Sequence, residues 1–156
     1  MTYFAVPQEL HDLAVRYALA VDTRDAAMLA SIFTQDGVVR GHGENPIEFR
    51  GAEGLGRMVA QVDAAFDQTM HNVFNQTFER RDDGAVTGLT TSIASHILKG
   101  DPTSLLDFAM RYHNTYVQQD GAWKFAERRL EVVWVETRTV QKFSAAMMNS
   151  DLMEFR

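Results

Sequence analysis

Four side chains far apart in the sequence, Tyr17, Asp22, His71 and Arg128, carry the groups of a proton-transfer site. An imidazole accepts a proton near neutral pH, a carboxylate orients it, and a phenol and a guanidinium stabilise oxygen that becomes negative. His71 opens the run Thr69-Met-His-Asn-Val-Phe-Asn-Gln-Thr-Phe78. In strand parity it shares a face with Val73 and Asn75, opposite the apolar set Met70, Phe74 and Phe78. Arg128 falls in the parity of Ala126, Leu130, Val132 and Trp134, while Glu127, Arg129 and Glu131 face the other way. A buried cation requires compensation, so an acid of the protein, Asp22 among them, or an anionic ligand group is expected beside it. Two roles are open to Asp22, a helix-end carboxylate or a site acid, because it lies on the edge of an apolar stripe. His96 is a second imidazole near a strand end; His11, His42 and His113 read as ordinary polar residues.

Other chemistries find no support. There is no cysteine, hence no thiolate nucleophile, disulfide or Cys-ligated metal. No Gly-rich phosphate loop, His-Glu-x-x-His helix or Gly-x-Ser-x-Gly elbow is present, and five scattered histidines do not propose a metal cluster. The expected mechanism uses neither metal nor cofactor.

Elements must bring these groups together. Leu10, Leu13, Ala14, Tyr17, Ala18 and Val21 recur at helical spacing and predict a helix over about 7–22, opened by Pro7. Asp25 caps a second short helix through Leu29, Ile32 and Phe33, stopped by Gln35-Asp-Gly37. Val38 to His42 reads as a short strand, and Leu55, Met58, Val59, Val62 and Phe66 as a third helix. From Thr69 the period becomes two. Turn signals at Asp82-Asp-Gly84, Gly100-Asp-Pro-Thr103 and Asp120-Gly121 divide the rest into four long antiparallel strands. The fold class is therefore α+β, with three helices over one face of a curved sheet and a pocket between the layers. The segment 138–156, with Phe143, Met147, Met148, Leu152, Met153 and Phe155, is expected to form a terminal helix or arm.

With 156 residues and 46% apolar content, the chain suits one domain spanning 1–156. A net charge of −6 without a basic run argues against nucleic acid or a polybasic membrane contact. The N-terminal residues lack a basic, long-apolar leader pattern and no stretch has the length of a membrane span, so a cytoplasmic protein is expected. Outward apolar residues of the last strand, Trp123, Phe125, Val133 and Val135, suggest self-association.

The helix order, the Ala20-Val-Asp-Thr-Arg-Asp25 turn, the Thr69-Met-His71 strand start and the Asp120-Gly-Ala-Trp-Lys-Phe125 hairpin resemble the cone-shaped nuclear-transport-factor-2-like superfamily. Within it the chain is similar to the SnoaL-like group that includes scytalone dehydratase, bile-acid 7α-dehydratase and lindane dehydrochlorinase. The resemblance covers about residues 7–136 and implies a homodimer or homotrimer. It implies that Asp22 and His71 match the Asp-His dyad of those eliminating enzymes. Tyr17 matches the active-site tyrosine of the bile-acid enzyme, Arg128 an arginine of that enzyme and the dehydrochlorinase, and His96 the second histidine of scytalone dehydratase. Tyr112 stands where scytalone dehydratase has asparagine, and Val21 where it has tyrosine, which disfavours scytalone as substrate.

The implied activity is a cofactor-independent, dehydratase-type elimination. His71 is the base, Asp22 holds its tautomer, Tyr17 donates to enolate oxygen, and Arg128 or His96 assists a departing hydroxyl or holds a substrate carboxylate or carbonyl. The expected lining of Phe33, Met58, Val62, Phe66, Phe108, Met110, Tyr112, Leu130, Val132 and Trp134 suits a small hydrophobic cyclic hydroxy-carbonyl substrate. The same groups would also serve an isomerase, cyclase or epoxide hydrolase, and a non-catalytic ligand-binding module is a further reading.

Overall fold

Helix α1 (Gln8–Asp22) buries the stripe read from its spacing: Leu10, Leu13, Ala14, Tyr17, Ala18 and Val21 all lie in the interior. The computed structural model describes residues 5–141, so the expected terminal arm beyond them lies outside the described residues. Pro7 is the N-cap, with extended backbone, and the helix begins one residue after it. At the other end Thr23 closes the helix through its hydroxyl, which donates to the Leu19 carbonyl at 2.8 Å. Arg24 then reverses the chain with a left-handed φ of 61°.

Asp25 caps α2 (Ala26–Ser31) by accepting from the Met28 amide at 2.8 Å, as its residue type predicts. This helix stops before the Gln35-Asp-Gly37 signal, which instead lies inside β1 (Phe33–Gly41). The Ile32 carbonyl accepts from the Phe125 amide at 2.9 Å, so pairing with the last strand claims the chain there. The turn residues become a bulge, because Phe33 pairs with Phe125 and Val38 with Glu127. Gly37 permits it: a Cβ there would stand 3.0 Å from the Phe125 carbonyl oxygen.

After the short β2 (Glu48–Arg50), α3 (Gly51–Ala65) presents Leu55, Met58 and Val59 inward. Four long strands follow: β3 (Phe66–Arg80), β4 (Val86–Leu98), β5 (Ser104–Gln119) and β6 (Ala122–Thr139). They form the expected antiparallel meander, and β1 adds to it in parallel against β6. The resulting six-stranded open sheet runs β2-β1-β6-β5-β4-β3. Helix α1 packs over β3 and β6, and α3 over β1, so the concave face is roofed by helices. Leu10, Leu13, Tyr17, Phe33, Leu55, Tyr116 and Phe125 form the centre of this core. Each such side chain contributes roughly 1.5–3 kcal/mol by leaving water.

Bulges in β6 and β3 alter the face that residues occupy. Along β6, Tyr116 pairs with Phe125 while Thr115 pairs with Glu127, and Met110 pairs with Val132 while Ala109 pairs with Trp134. Ala126 and Val133 are the extra residues, and each reverses the alternation. Trp123 and Phe125, expected outside, therefore face the core, where Phe125 is fully buried. Trp134, expected inside, shares the outer face with Ala109 and is half exposed. In β3 a shift between Val73 and Gln76 carries Phe78 to the inner face, where its ring meets Tyr116 and His11.

Candidate functional site

Asp22 ends α1, and His71 lies on β3, the strand across which α1 packs. The Asp22 Oδ1 atom lies 2.6 Å from His71 Nδ1, and Oδ2 accepts from the His71 main-chain N–H at 2.8 Å. Thr69 adds a third bond, its hydroxyl donating to Oδ1 at 2.8 Å. Burial pushes the Asp22 carboxyl up, but the bonds from the His71 ring and amide and from Thr69 outweigh it and hold it below the usual carboxylate range. An ionised carboxylate only accepts, so the proton of a neutral His71 sits on Nδ1 and the lone pair on Nε2.

His96 reaches the same space from β4, where it pairs with Thr69 of β3 and Leu106 of β5. Its ring stands edge-on to His71 with centroids 5.4 Å apart, and it touches Phe66 and Phe108. Its Nδ1 lies 2.9 Å from the Ala94 carbonyl oxygen. Burial first, then repulsion from His71, pushes its pKa down to about 4.

Tyr17 is buried, with its hydroxyl 4.0 Å from the Met58 sulfur, a weak acceptor. Burial raises its pKa, only partly offset by the Arg128 charge, so it stays a proton donor. Arg128 is 1% exposed. Its guanidinium carbon lies 3.9 Å from the Tyr112 ring centre and 4.2 Å from that of Tyr17, and Nη1 donates to Asn114 Oδ1 at 2.9 Å. Among the described residues no carboxylate pairs with it, and its Nε has no hydrogen-bond partner. The acid or anion expected beside it is replaced by stacked aromatic faces, which attract a cation through their ring quadrupoles.

These groups surround a cavity of about 330 Å³ between α1, α3 and the concave sheet. Tyr17, His71 and His96 border it, with Met58, Val62, Phe66, Phe108, Met110, Tyr112, Leu130 and Val132 from the expected lining. Phe33 does not: it is packed beneath, against Phe125 and Tyr17. Trp134 is removed by the Val133 bulge. Arg128 is not on the wall either, because Tyr17 and Tyr112 lie over it.

The profile of the SnoaL-like domain matches residues 6–129. The chain belongs to the SnoaL-like family. Its fold is that of the nuclear-transport-factor-2-like superfamily. A hexachlorocyclohexane dehydrochlorinase, LinA type 2, superposes with a TM-score of 0.77 at 24% identity, covering 88% of this chain and 91% of that one. LinA type 3 from Novosphingobium barchaimii gives 0.76 at 23%, covering 88% and 92%. A scytalone dehydratase candidate from Novosphingobium aromaticivorans gives 0.72 at 21%, covering 86% and 88%. No curated protein sequence matches.

This SnoaL-like chain has further residues in the site that pattern reading passed over. Arg24 donates to the Val21 carbonyl at 2.7 Å, to Thr69 Oγ1 at 2.8 Å and to the Phe66 carbonyl at 3.3 Å, tying the end of α1 to the start of β3. Because Arg24 donates into the Thr69 oxygen, the Thr69 proton is directed at Asp22. The Thr69-Met-His71 spacing was the available signal, since i and i+2 share a strand face. A larger open hollow of about 1630 Å³ near Phe78, Arg81 and Arg129 contains none of Tyr17, His71 or His96. Among the described residues no helix is long and apolar enough to cross a membrane, and no three His, Asp or Glu side chains gather as metal ligands.

Proposed function

We propose that this chain is a cofactor-independent lyase that eliminates water from a small hydrophobic cyclic hydroxy-carbonyl compound. The observation that carries the proposal is a carboxylate-held imidazole on a ring that borders an apolar cavity, with Nδ1 engaged and Nε2 left as the base. His71 Nε2 takes the proton from a carbon made acidic by the neighbouring carbonyl. The C–H electron pair moves into the enolate, and Tyr17 donates to the developing oxyanion. As the enolate collapses, the C–O bond breaks and the departing oxygen takes its electron pair. The proton held on His71 joins it as water. Asp22 steadies the imidazolium between the two transfers. Arg128, behind the rings of Tyr17 and Tyr112, adds a positive field rather than a direct contact. The dehydrochlorinase and dehydratase neighbours support this reaction class as analogy, at identities that carry the fold alone.

The test is product analysis with a panel of cyclic β-hydroxy ketones in deuterated water. Elimination gives products lighter by one water, and reversible proton abstraction by His71 gives deuterium at the carbon beside the carbonyl in recovered substrate. A β,γ-unsaturated cyclic ketone added to the panel, if its double bond moves into conjugation while no hydroxy ketone loses water, would replace lyase by isomerase. Neither water loss nor exchange with any panel member would remove the enzymatic reading.

A further inference from the structure

The two imidazoles of the cavity are held in the same tautomer by different partners. A carbonyl oxygen can only accept, so the 2.9 Å contact with Ala94 places the His96 proton on Nδ1. His96 Nε2 is then a bare lone pair with no partner among the described residues, on a ring that borders the cavity. His71 likewise presents an unprotonated Nε2. The site thus offers two acceptors, of which the one backed by the Asp22 carboxylate is the stronger base.

Among the described residues, the cations near the cavity are already engaged. Arg40 borders the cavity, but its Nε donates to Glu127 Oε1 at 3.0 Å and its Nη1 to Glu48 at 3.4 Å. Arg128 is stacked behind Tyr17 and Tyr112. A carboxylate entering this space would lose its water, meet two lone pairs and, among the described residues, find no free positive partner.

We propose that His96 is a specificity residue whose Nε2 accepts a hydrogen bond from a hydroxyl that the substrate keeps, and that the site selects uncharged hydroxylated substrates over anionic ones. This rests on the reading of His71 as base and adds a second polar handle. The hydroxyl on His96 is not the leaving group, because donating a hydrogen bond makes an oxygen more electron-rich and slower to depart. The low pKa of His96 agrees, since an imidazole that stays neutral has no Nε2 proton to give.

Naphthol, its methyl ether and naphthoate serve as probes, with affinities measured by calorimetry on the full chain. Naphthol is expected to bind roughly three- to tenfold more tightly than the ether, the worth of one hydrogen bond to a buried acceptor, and naphthoate least well. In His96→Leu the preference for naphthol over the ether disappears; in His96→Asn, whose amide oxygen accepts, part of it returns; in His71→Ala it persists. If it vanishes in His71→Ala and survives in His96→Leu, the acceptor is His71 and the inference is overturned while the base assignment stands. Naphthoate binding most tightly overturns the charge selection. Nitrogen NMR of the unmodified protein tests the tautomer without a variant: an unprotonated Nε2 on His96 supports the inference, and a protonated one overturns it. None of these measurements needs turnover, so they fail or succeed independently of the proposed elimination.

Discussion

The Asp22 carboxylate grips His71 twice, once at the ring Nδ1 at 2.6 Å and once at the main-chain N–H at 2.8 Å. The second bond fixes the backbone from which the ring projects, so the ring's position and its tautomer are set by one group. An asparagine at this position retains one acceptor, but its NH₂ faces either the ring or the amide. If it donates to Nδ1, the imidazole proton moves to Nε2 and the lone pair for catalysis is lost. Asp22→Asn is therefore expected to lower turnover by roughly 10³–10⁴, comparable to other wrong-tautomer variants, with a folded far-ultraviolet spectrum. Steady-state assay of the two proteins checks it, and an activity within tenfold of the parent would show that the tautomer of His71 does not depend on the Asp22 carboxylate.

The same site predicts two separate acid windows for stability. His96 is depressed from 6.5 to about 4 in the native state, so between those values the unfolded chain binds more protons and stability falls as pH falls. The largest contribution of this residue is about 3 kcal/mol, complete once the pH is below both values. Asp22 is held below its ordinary value of 3.8, so its contribution is present above that value and is lost as pH falls beneath it. Thermal melts across pH 7 to 3 should lose the upper window in His96→Leu and the lower one in Asp22→Asn.

Most of the fold was legible because the apolar periods are long and uninterrupted: the α1 stripe, the β5 alternation and the three turn signals all hold in the structure. The errors of facing along β6 share one physical cause. A bulge adds one residue and exchanges the faces beyond it, yet Ala126 and Val133 sit in runs with no turn residue to announce it. Trp134, Trp123 and Phe125 were therefore read on the wrong faces. Gln35-Asp-Gly37 did announce an irregularity, but its residue types suit a bulge as well as a helix stop. The apolar surroundings of Arg128 were readable from parity, whereas its aromatic partners come from α1 and β5 and required the tertiary structure. Sequence leaves Asp22 between two roles for the same reason, since its contacts lie 47 and 49 residues away.

Arg128 tests whether a buried cation is kept for stability or for its field. Among the described residues no carboxylate offsets its desolvation; the stacked rings and Asn114 offset part of it. Methionine fills similar space without that penalty, at the cost of leaving Asn114 Oδ1 short of a donor. Arg128→Met is expected to change stability by less than about 2 kcal/mol, whereas Arg128→Ala should cost about 3–5 kcal/mol through the cavity it leaves. Both should lower turnover if the positive field acts on the enolate, and denaturant melts beside kinetic assays separate the effects.

Gly88 is needed for space rather than for backbone freedom. It pairs with Phe78 just beyond the β3 bulge, and a Cβ there would stand 2.5 Å from the Thr77 carbonyl oxygen, with Phe78 and Tyr116 ring carbons at 3.3 Å. Backbone cannot yield as a flexible side chain can. Gly88→Ala is expected to destabilise by about 1–3 kcal/mol, read from the urea midpoint, and to leave the remote His71 environment unchanged by NMR.

Arg24 combines an unfavourable backbone with useful bonds, and two substitutions separate these. Its φ of 61° is costly for any residue with a Cβ, while its guanidinium joins Val21, Thr69 and Phe66 and lies 3.5 Å from Asp63. Alanine removes the bonds and keeps most of the strain; glycine removes both. Both variants should be less stable than the parent, because three hydrogen bonds from a part-buried guanidinium outweigh one strained residue. Between them, Arg24→Gly should exceed Arg24→Ala by about 1 kcal/mol, less the extra entropy of glycine in the unfolded chain. Activity should fall equally in both, because the lost Thr69 contact is common to them. Denaturant melts of the pair decide the matter: an alanine variant as stable as the parent would show that the bracket between α1 and β3 contributes nothing to holding Asp22 against His71.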